Sequence, residues 1–141
     1  MNPLLDRMFE NESIRLERNF ARNLPETDHD RTMMQQAVIN VLENAMTDLQ
    51  SRENKSYEPE VKVSLEAGGP WVRLKISDNG PGMDEKTLNQ AFEPLFTTRA
   101  RGTGLGLAIA GKIIHEHGGE IVMNSEQGHG TMVVIQLPVR R

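Results

Sequence analysis

The sequence predicts a single α/β domain in which a mostly antiparallel sheet carries its helices on one face. Three observations lead to this prediction. Apolar and polar residues alternate in several short segments, which is the period of a β-strand with one buried face. One longer segment repeats its apolar residues at intervals of three and four, which is the period of a helix. Strand-like segments also follow one another across short turns, so neighbouring strands are expected to pair as hairpins.

The composition limits the possible functions. The chain has 141 residues, of which 37% are hydrophobic and 26% charged, and its net charge is −4. This length fits one domain over residues 1–141, with residues 1–12 expected to be a linker remnant. The negative charge gives no electrostatic reason to expect binding to nucleic acid or to an anionic membrane. The chain has no cysteine, which excludes disulfides, thiolate zinc sites and a cysteine nucleophile.

The first elements are a strand and a long helix. Residues 13–20 alternate and predict a strand, and residues 24–27 predict a turn. Asp28 or Asp30 can cap a helix that extends to about Arg52. The apolar stripe of this helix comprises Met34, Ala37, Val38, Val41, Leu42, Ala45 and Leu49.

A hairpin and a short helix follow. Residues 61–65 and 71–77 alternate, and the turn Ala67-Gly68-Gly69-Pro70 separates them, so they are expected to pair. After the break at residues 78–82, Asp84 begins a short helix that extends to about residue 91.

The last elements are a loop, a helix and a second hairpin. Residues 92–103 show no clear period and predict a long loop. Residues 105–117 predict a helix that stops at Gly118-Gly119, because glycine readily takes the left-handed conformation that ends helices. Residues 120–124 and 131–137 predict strands joined by a turn near Gln127-Gly128.

The long helix carries a candidate site. Asn40 and Asn44 are four residues apart and therefore share a face. Asparagine is costly to bury without partners, so this pair indicates that a polar group lies against it. An amide oxygen suits Mg²⁺ bound to phosphate oxygens, and the neighbouring Glu43 could act as a general base. A solvated helix edge explains the helix equally well on its own.

A second candidate is the segment Asp78-Asn79-Gly80-Pro81-Gly82, which follows an apolar strand. Any tight turn has a similar composition. A buried carboxylate at a strand end could instead accept a hydrogen bond from an exocyclic amine such as that of adenine. The two glycines would then let the backbone approach a flat ring.

A third candidate is the glycine-rich segment of residues 102–107, which leads directly into a helix. Free amide groups at a helix N-terminus attract phosphate. The glycine spacing differs from the dinucleotide fingerprint, and no Gly-Lys-Ser/Thr sequence follows, which excludes a Walker loop. A flexible linker is the alternative. In the preceding loop Arg99 can reach a γ-phosphate, while Phe92 and Phe96 are explained equally well as core residues.

Together these segments resemble the ATP-binding catalytic domain of sensor histidine kinases, within the gyrase, Hsp90, histidine kinase and MutL superfamily. The resemblance covers residues 30–138 and rests on four motifs in the family's order. Residues 40–45 are similar to the N box, 78–83 to the G1 box, 92–98 to the F box and 102–109 to the G2 box.

The resemblance implies a Bergerat-type fold, a two-layer α/β sandwich whose mixed sheet carries three helices on one face. It implies ATP and Mg²⁺ as cofactors, with Asn44 as the magnesium ligand, Asn40 near the phosphates and Asp78 on the adenine amino group. Glu43 and Arg99 are the catalytic candidates. The other candidate nucleotide-binding residues are Asp48, Gly80, Gly82, Met83, Phe96, Thr97, Thr98, Arg101, Gly102, Thr103, Gly104, Leu105, Gly106, Leu107 and Thr131.

The sequence departs from the family pattern in two ways. Thr47 stands where many of the kinases have a lysine. No histidine lies in a phosphoacceptor motif, since His29-Asp30 has no following proline. His115 and His117 are two residues apart, on different helix faces, which is unfavourable for a metal site.

The resemblance therefore implies transfer of the γ-phosphate to a histidine on an absent dimerisation domain, and from there to a response regulator. We expect a monomer without nucleic-acid or membrane contacts, located in the cytoplasm or in the cytoplasmic part of a membrane-anchored kinase. The alternatives are an anti-sigma-type serine kinase, the ATPase domain of a gyrase- or MutL-like machine, and a degenerate nucleotide sensor.

Overall fold

The computed structural model describes residues 14–21, 30–50, 57–89 and 106–139. Within these ranges the strands are β1 (Arg15–Phe20), β2 (Glu60–Gly68), β3 (Trp71–Asp78), β4 (Glu120–Glu126) and β5 (Gly130–Pro138). The helices are α1 (Arg31–Gln50), α2 (Glu85–Asn89) and α3 (Gly106–Glu116). The predicted turn at 24–27, the linker remnant at 1–12 and the loop at 92–103 lie outside the described residues.

The sheet is mixed and mostly antiparallel, as predicted. Its strands lie in the order β1-β2-β3-β5-β4. β1 runs parallel to β2, whereas the β2–β3, β3–β5 and β4–β5 pairs are antiparallel. The parallel pair follows from α1, which crosses between the two strands and returns the chain to the same end of the sheet. Both predicted hairpins, β2–β3 and β4–β5, are confirmed.

The core lies between one face of the sheet and the helices. The buried apolar residues of α1 are Ala37, Val41, Leu42, Ala45 and Leu49, which all belong to the predicted apolar stripe. They pack with Ala110, Ile113 and Ile114 of α3 and with the inward residues of β2, β3 and β5. The opposite face of the sheet is largely polar, with Lys75 paired to Glu66 at 2.9 Å and Arg73 Nε donating to Gln136 Oε1 at 2.7 Å. This is the predicted two-layer arrangement.

Local capping explains where the helices begin and end. The carboxylate of Asp30 accepts a hydrogen bond from the N–H of Met33 at 3.0 Å, so Asp30 is a cap of α1. Asp84 caps α2 in the same way, through the N–H of Thr87 at 2.8 Å. After α3, Gly118 has a φ of 73°, which confirms the predicted glycine stop. No helix in the described ranges has the length and apolarity needed to cross a bilayer.

Candidate functional site

One polar edge of α1 is turned toward the protein interior. Asn40, Asn44 and Asp48 are spaced by four residues and lie along one face over about 12 Å. Asn40 is 8% exposed and Asp48 is 3% exposed, while Asn44 is half-buried. Glu43 is exposed. The burial of Asn40 and Asp48 excludes a merely solvated helix edge at these two positions.

Asn40 presents a buried donor near the start of α3. Its Oδ1 accepts a hydrogen bond from Gln36 Nε2 at 2.8 Å. Its Nδ2 is buried and has no hydrogen-bond partner among the described residues. A Cβ added to Gly106 would lie 3.8 Å from the Asn40 Cβ, so the first turn of α3 packs beside this side chain. An unsatisfied donor costs about 1–3 kcal/mol, and a phosphate oxygen at the helix N-terminus would satisfy it.

Asp78 ends β3 with a buried carboxylate. It is 8% exposed, and its Oδ1 accepts a hydrogen bond from the N–H of Gly80 at 2.9 Å. This is the bond of an Asx turn, so the predicted tight turn is present. A carboxylate is a hydrogen-bond acceptor, which is the chemistry needed to bind an amine.

Asn79 has a structural function in the same segment. Its Oδ1 accepts a hydrogen bond from the N–H of Glu60 at 2.8 Å, and its Nδ2 donates to the carbonyl of Glu58 at 2.9 Å. The side chain is exposed on the outside of the turn. Asn79 thus attaches the end of β3 to the chain that enters β2.

Two glycines allow close contacts between backbones. Gly82 has a φ of 72° and Gly130 a φ of 88°, a region that side-chain-bearing residues rarely adopt. A Cβ on Gly82 would collide with the carbonyl oxygen of Glu126, and a Cβ on Gly130 with that of Asp78. These contacts account for both glycines without a ligand. They bring the β4–β5 hairpin against the segment that follows β3.

The hydroxyl groups of Ser125 and Thr131 form a hydrogen-bonded pair on the inward face of this hairpin. Ser125 Oγ accepts a hydrogen bond from the N–H of Met83 at 2.8 Å and lies 2.8 Å from Thr131 Oγ1. Its distance to the carbonyl oxygen of Gly130 is 3.0 Å. Thr131 is 4% exposed and Met83 is 9% exposed. Sequence reasoning missed Ser125, although a signal was present, because alternation along β4 places it on the inward face.

Asp48 and Asp78 approach each other at Gly80. A Cβ on Gly80 would lie 2.5 Å from Asp48 Oδ2 and 2.9 Å from Asp78 Oδ1. Gly80 therefore has no room for a side chain, because carboxylates from α1 and β3 point at the same place. The polar edge of α1 thus has an acidic end near Gly80 and an amide end near α3.

Part of the predicted site lies beyond the described ranges. Gly106 and Leu107 form the start of α3, where Leu107 is half-buried against the core. Among the described residues, no group of three or more His, Cys, Asp or Glu side chains could hold a metal ion. The predicted site residues outside the described ranges are Phe96, Thr97, Thr98, Arg99, Arg101, Gly102, Thr103, Gly104 and Leu105, together with the loop residue Phe92.

Comparison with known proteins identifies relatives of the whole domain. A family model described as histidine kinase-, DNA gyrase B- and HSP90-like ATPase matches residues 29–141. Sporulation kinase E of Bacillus subtilis is 35% identical over 130 residues, which are 92% of this chain and 17% of that protein. The chain thus spans less than a fifth of that relative's length.

Solved structures agree with this assignment. The mycobacterial sensor histidine kinase MprB has a TM-score of 0.80 at 30% identity, covering 96% of this chain and 89% of that chain. Full-length ShkA in complex with AMPPNP has a TM-score of 0.78 at 25% identity, covering 96% of this chain and 28% of that chain. The two-layer fold described above is therefore the fold of histidine kinase catalytic domains.

Proposed function

Because the chain belongs to the family of histidine kinase-, DNA gyrase B- and HSP90-like ATPases, we propose that it binds Mg²⁺-ATP and transfers the γ-phosphate to a histidine of another domain. Several of its relatives are sensor histidine kinases, and the family description names an ATPase. The acceptor histidine would lie on a dimerisation domain, which would pass the phosphate to a response regulator.

The observation that carries this proposal is the polar edge of α1. Its amide end has a buried unsatisfied donor at Asn40, beside the start of α3. Its other end has the buried carboxylates of Asp48 and Asp78. A nucleoside triphosphate has the complementary layout, with anionic oxygens at one end and an amine-bearing base at the other. The length of the edge, about 12 Å, is on the scale of such a ligand.

The amide end suits phosphate oxygens and their counter-ion. Asn40 Nδ2 would donate to a phosphate oxygen, and the first amides of α3 would add to the positive field of the helix N-terminus. Asn44 would supply one oxygen ligand to Mg²⁺, which usually keeps several waters and phosphate oxygens in its coordination shell. When bound, the metal neutralises phosphate charge.

Phosphoryl transfer needs positioning and charge stabilisation more than covalent help from the protein. The histidine nitrogen would form a bond to the γ-phosphorus while the bond to the β–γ bridging oxygen breaks and ADP leaves. Glu43 is exposed beside Asn44, where an imidazole from another domain can approach. We propose that Glu43 orients this imidazole or accepts its proton, and that Arg99 balances charge on the γ-phosphate.

The base end suits adenine. Asp78 would accept a hydrogen bond from the exocyclic amine, with its carboxylate oriented by the N–H of Gly80. Met83 and Thr131 lie nearby through their shared contacts with Ser125 and would form the wall of the base pocket. Gly80 and Gly82 would shape the turn beneath it.

A labelled-phosphate experiment tests the proposed function. The protein is mixed with γ-labelled ATP, Mg²⁺ and the separately expressed dimerisation domain of its parent kinase or of a close relative. We expect an acid-labile label on the dimerisation domain. Asn44→Ala should abolish the transfer, while Gln35→Ala, an exposed change on the same helix, should not affect it. An acid-stable label would indicate a serine kinase, and ATP hydrolysis without transfer would indicate a gyrase-like ATPase.

A further inference from the structure

Two buried carboxylates from different elements meet beside one glycine. Asp48 comes from α1 and is 3% exposed, whereas Asp78 comes from the end of β3 and is 8% exposed. The place that a Gly80 Cβ would take lies 2.5 Å from Asp48 Oδ2 and 2.9 Å from Asp78 Oδ1. Both oxygens are therefore close to the same point beside the Gly80 backbone.

The chemistry of this place is that of two carboxylates. An ionised carboxylate accepts hydrogen bonds and donates none. A ligand that fits must therefore present hydrogen-bond donors on one small group.

The amino group of adenine has this property. It carries two N–H donors that point in different directions in the plane of the ring. A carboxylate in line with one hydrogen is poorly placed for the other, whereas carboxylates from two elements can take one each. Asp48 lies one helical turn beyond Asn44, at the end of the α1 edge that faces Gly80.

We propose that Asp48 is a specificity-determining residue of the base subsite, where it accepts one hydrogen of the adenine amino group while Asp78 accepts the other. This inference rests on the proposed function, since it assigns a second hydrogen-bond acceptor to the base of the same nucleotide. A base with a carbonyl oxygen in place of the amine would set an acceptor against two carboxylates and would be rejected. A base with a substituted amine would lose one of the two bonds.

Nucleotide analogues test the proposal. Dissociation constants are measured for ATP and N6-methyl-ATP with the wild-type protein, Asp48→Ala and Glu116→Gln, which removes an exposed carboxylate from α3. The wild type and Glu116→Gln should bind ATP roughly 10- to 100-fold more tightly than the methylated analogue, because one bond to a charged group is lost. In Asp48→Ala this ratio should fall to near one. The carboxylate that accepts the second hydrogen is then absent, and the space it leaves can hold the methyl group.

Each result decides between distinct conclusions. A wild-type protein that binds no ATP would contradict the proposed function itself. If the wild type binds ATP and its methylated analogue equally well, ATP binding stands and the role of Asp48 is wrong. A large ratio that persists in Asp48→Ala also overturns that role, because another group then rejects the methyl. Should Asp48→Ala fail to fold, the wild-type ratio still applies, and Asp48→Asn should reduce it.

Discussion

The backbone N–H of Asp30 donates a hydrogen bond to Nε2 of His117 at 3.0 Å, although the two residues are 87 positions apart. Because Nε2 is the acceptor, Nδ1 carries the proton and donates it to the carbonyl of Ile113 at 2.7 Å. One imidazole therefore joins the capping residue of α1 to the last turn of α3. These two helices pack against the sheet, and the start of α3 lies beside Asn40 of α1 at the amide end of the candidate nucleotide site.

Replacing His117 tests the importance of this link. His117→Ala removes both side-chain hydrogen bonds. The Ile113 carbonyl keeps the backbone N–H of residue 117 at 3.2 Å, but the N–H of Asp30 loses its partner, so we expect the free energy of unfolding to fall by about 1–3 kcal/mol. Chemical denaturation measures this change. His115→Ala is the matched control, because His115 lies two residues earlier, in the last turn of α3, and is exposed; it should cost less than about 0.5 kcal/mol. Equal effects of the two substitutions would contradict the structural function of His117.

The cap formed by Asp84 at the start of α2 should contribute to the stability of the fold in a pH-dependent way. The hydrogen bond from the Thr87 backbone, followed by that from its side chain, lowers the pKa of Asp84 below its usual value. A group with a lowered pKa in the folded state stabilises the fold above its unfolded pKa, about 3.9, and this contribution is lost as the pH falls through the lower folded value.

Thermal unfolding of Asp84→Ala checks this dependence. The variant should melt below the wild type at pH 5–8, and the difference between them should shrink as the pH falls below roughly 4. Glu85→Gln, an exposed change at the next residue, should show no such convergence. A gap that stays constant to the lowest pH would mean that the ionised cap is not the cause.

Substitutions at Gly82 and Gly128 distinguish two reasons why a position requires glycine, which are a positive φ and a close backbone contact. Both have positive φ, but a Cβ on Gly128 has no atom within 4 Å, whereas a Cβ on Gly82 would collide with the Glu126 carbonyl. Gly128→Ala should therefore cost only the conformational penalty of about 1–2 kcal/mol. Gly82→Ala should cost roughly 1–3 kcal/mol more, because the hairpin must move away. Denaturant titration of both variants compares them, and similar losses would argue against the backbone contact.

Replacing Asp78 and replacing Asn44 should change nucleotide affinity differently, because only the effect of Asn44 should depend on Mg²⁺. Asp78→Asn keeps an oxygen that can accept the Gly80 N–H, yet it loses the charge, so we expect ATP and ADP binding to weaken roughly 10-fold or more with or without Mg²⁺. Asn44→Ala should remove mainly the increase in ATP affinity that Mg²⁺ brings. Calorimetric titrations with magnesium and with a chelator measure both effects. Unchanged affinity in Asp78→Asn would contradict its assignment to adenine.

Local patterns were sufficient to predict most of the elements. The period of apolar residues identifies α1 and the four strands of the two hairpins, because burial of one face imposes that period wherever the partner lies. Capping is equally local: Asp30 bonds an amide three residues away, and Gly118 ends α3 through its own φ. Residues 40–45 and 78–83 belong to short motifs whose order along the chain was enough to indicate the family.

The order of the strands and the burial of the site residues depend on contacts between distant segments, so only the tertiary structure shows them. Alternation shows that β3 and β5 are strands, but only packing of the whole chain places them side by side between β2 and β4. The helix period was compatible with Asn40 on a solvated edge of α1. In the folded chain Asn40 is buried, and the start of α3 packs beside it.

The sequence by itself thus determined the secondary structure, the family and the chemical character of the candidate site. Only the tertiary structure decided that Asp48 and Asp78 meet at Gly80, that Ser125 joins Met83 to Thr131, and that His117 holds α1. The physical reason is the range of the forces involved. Periodicity and capping act within a few residues, whereas burial and side-chain pairing depend on segments that folding brings together from far apart in the chain.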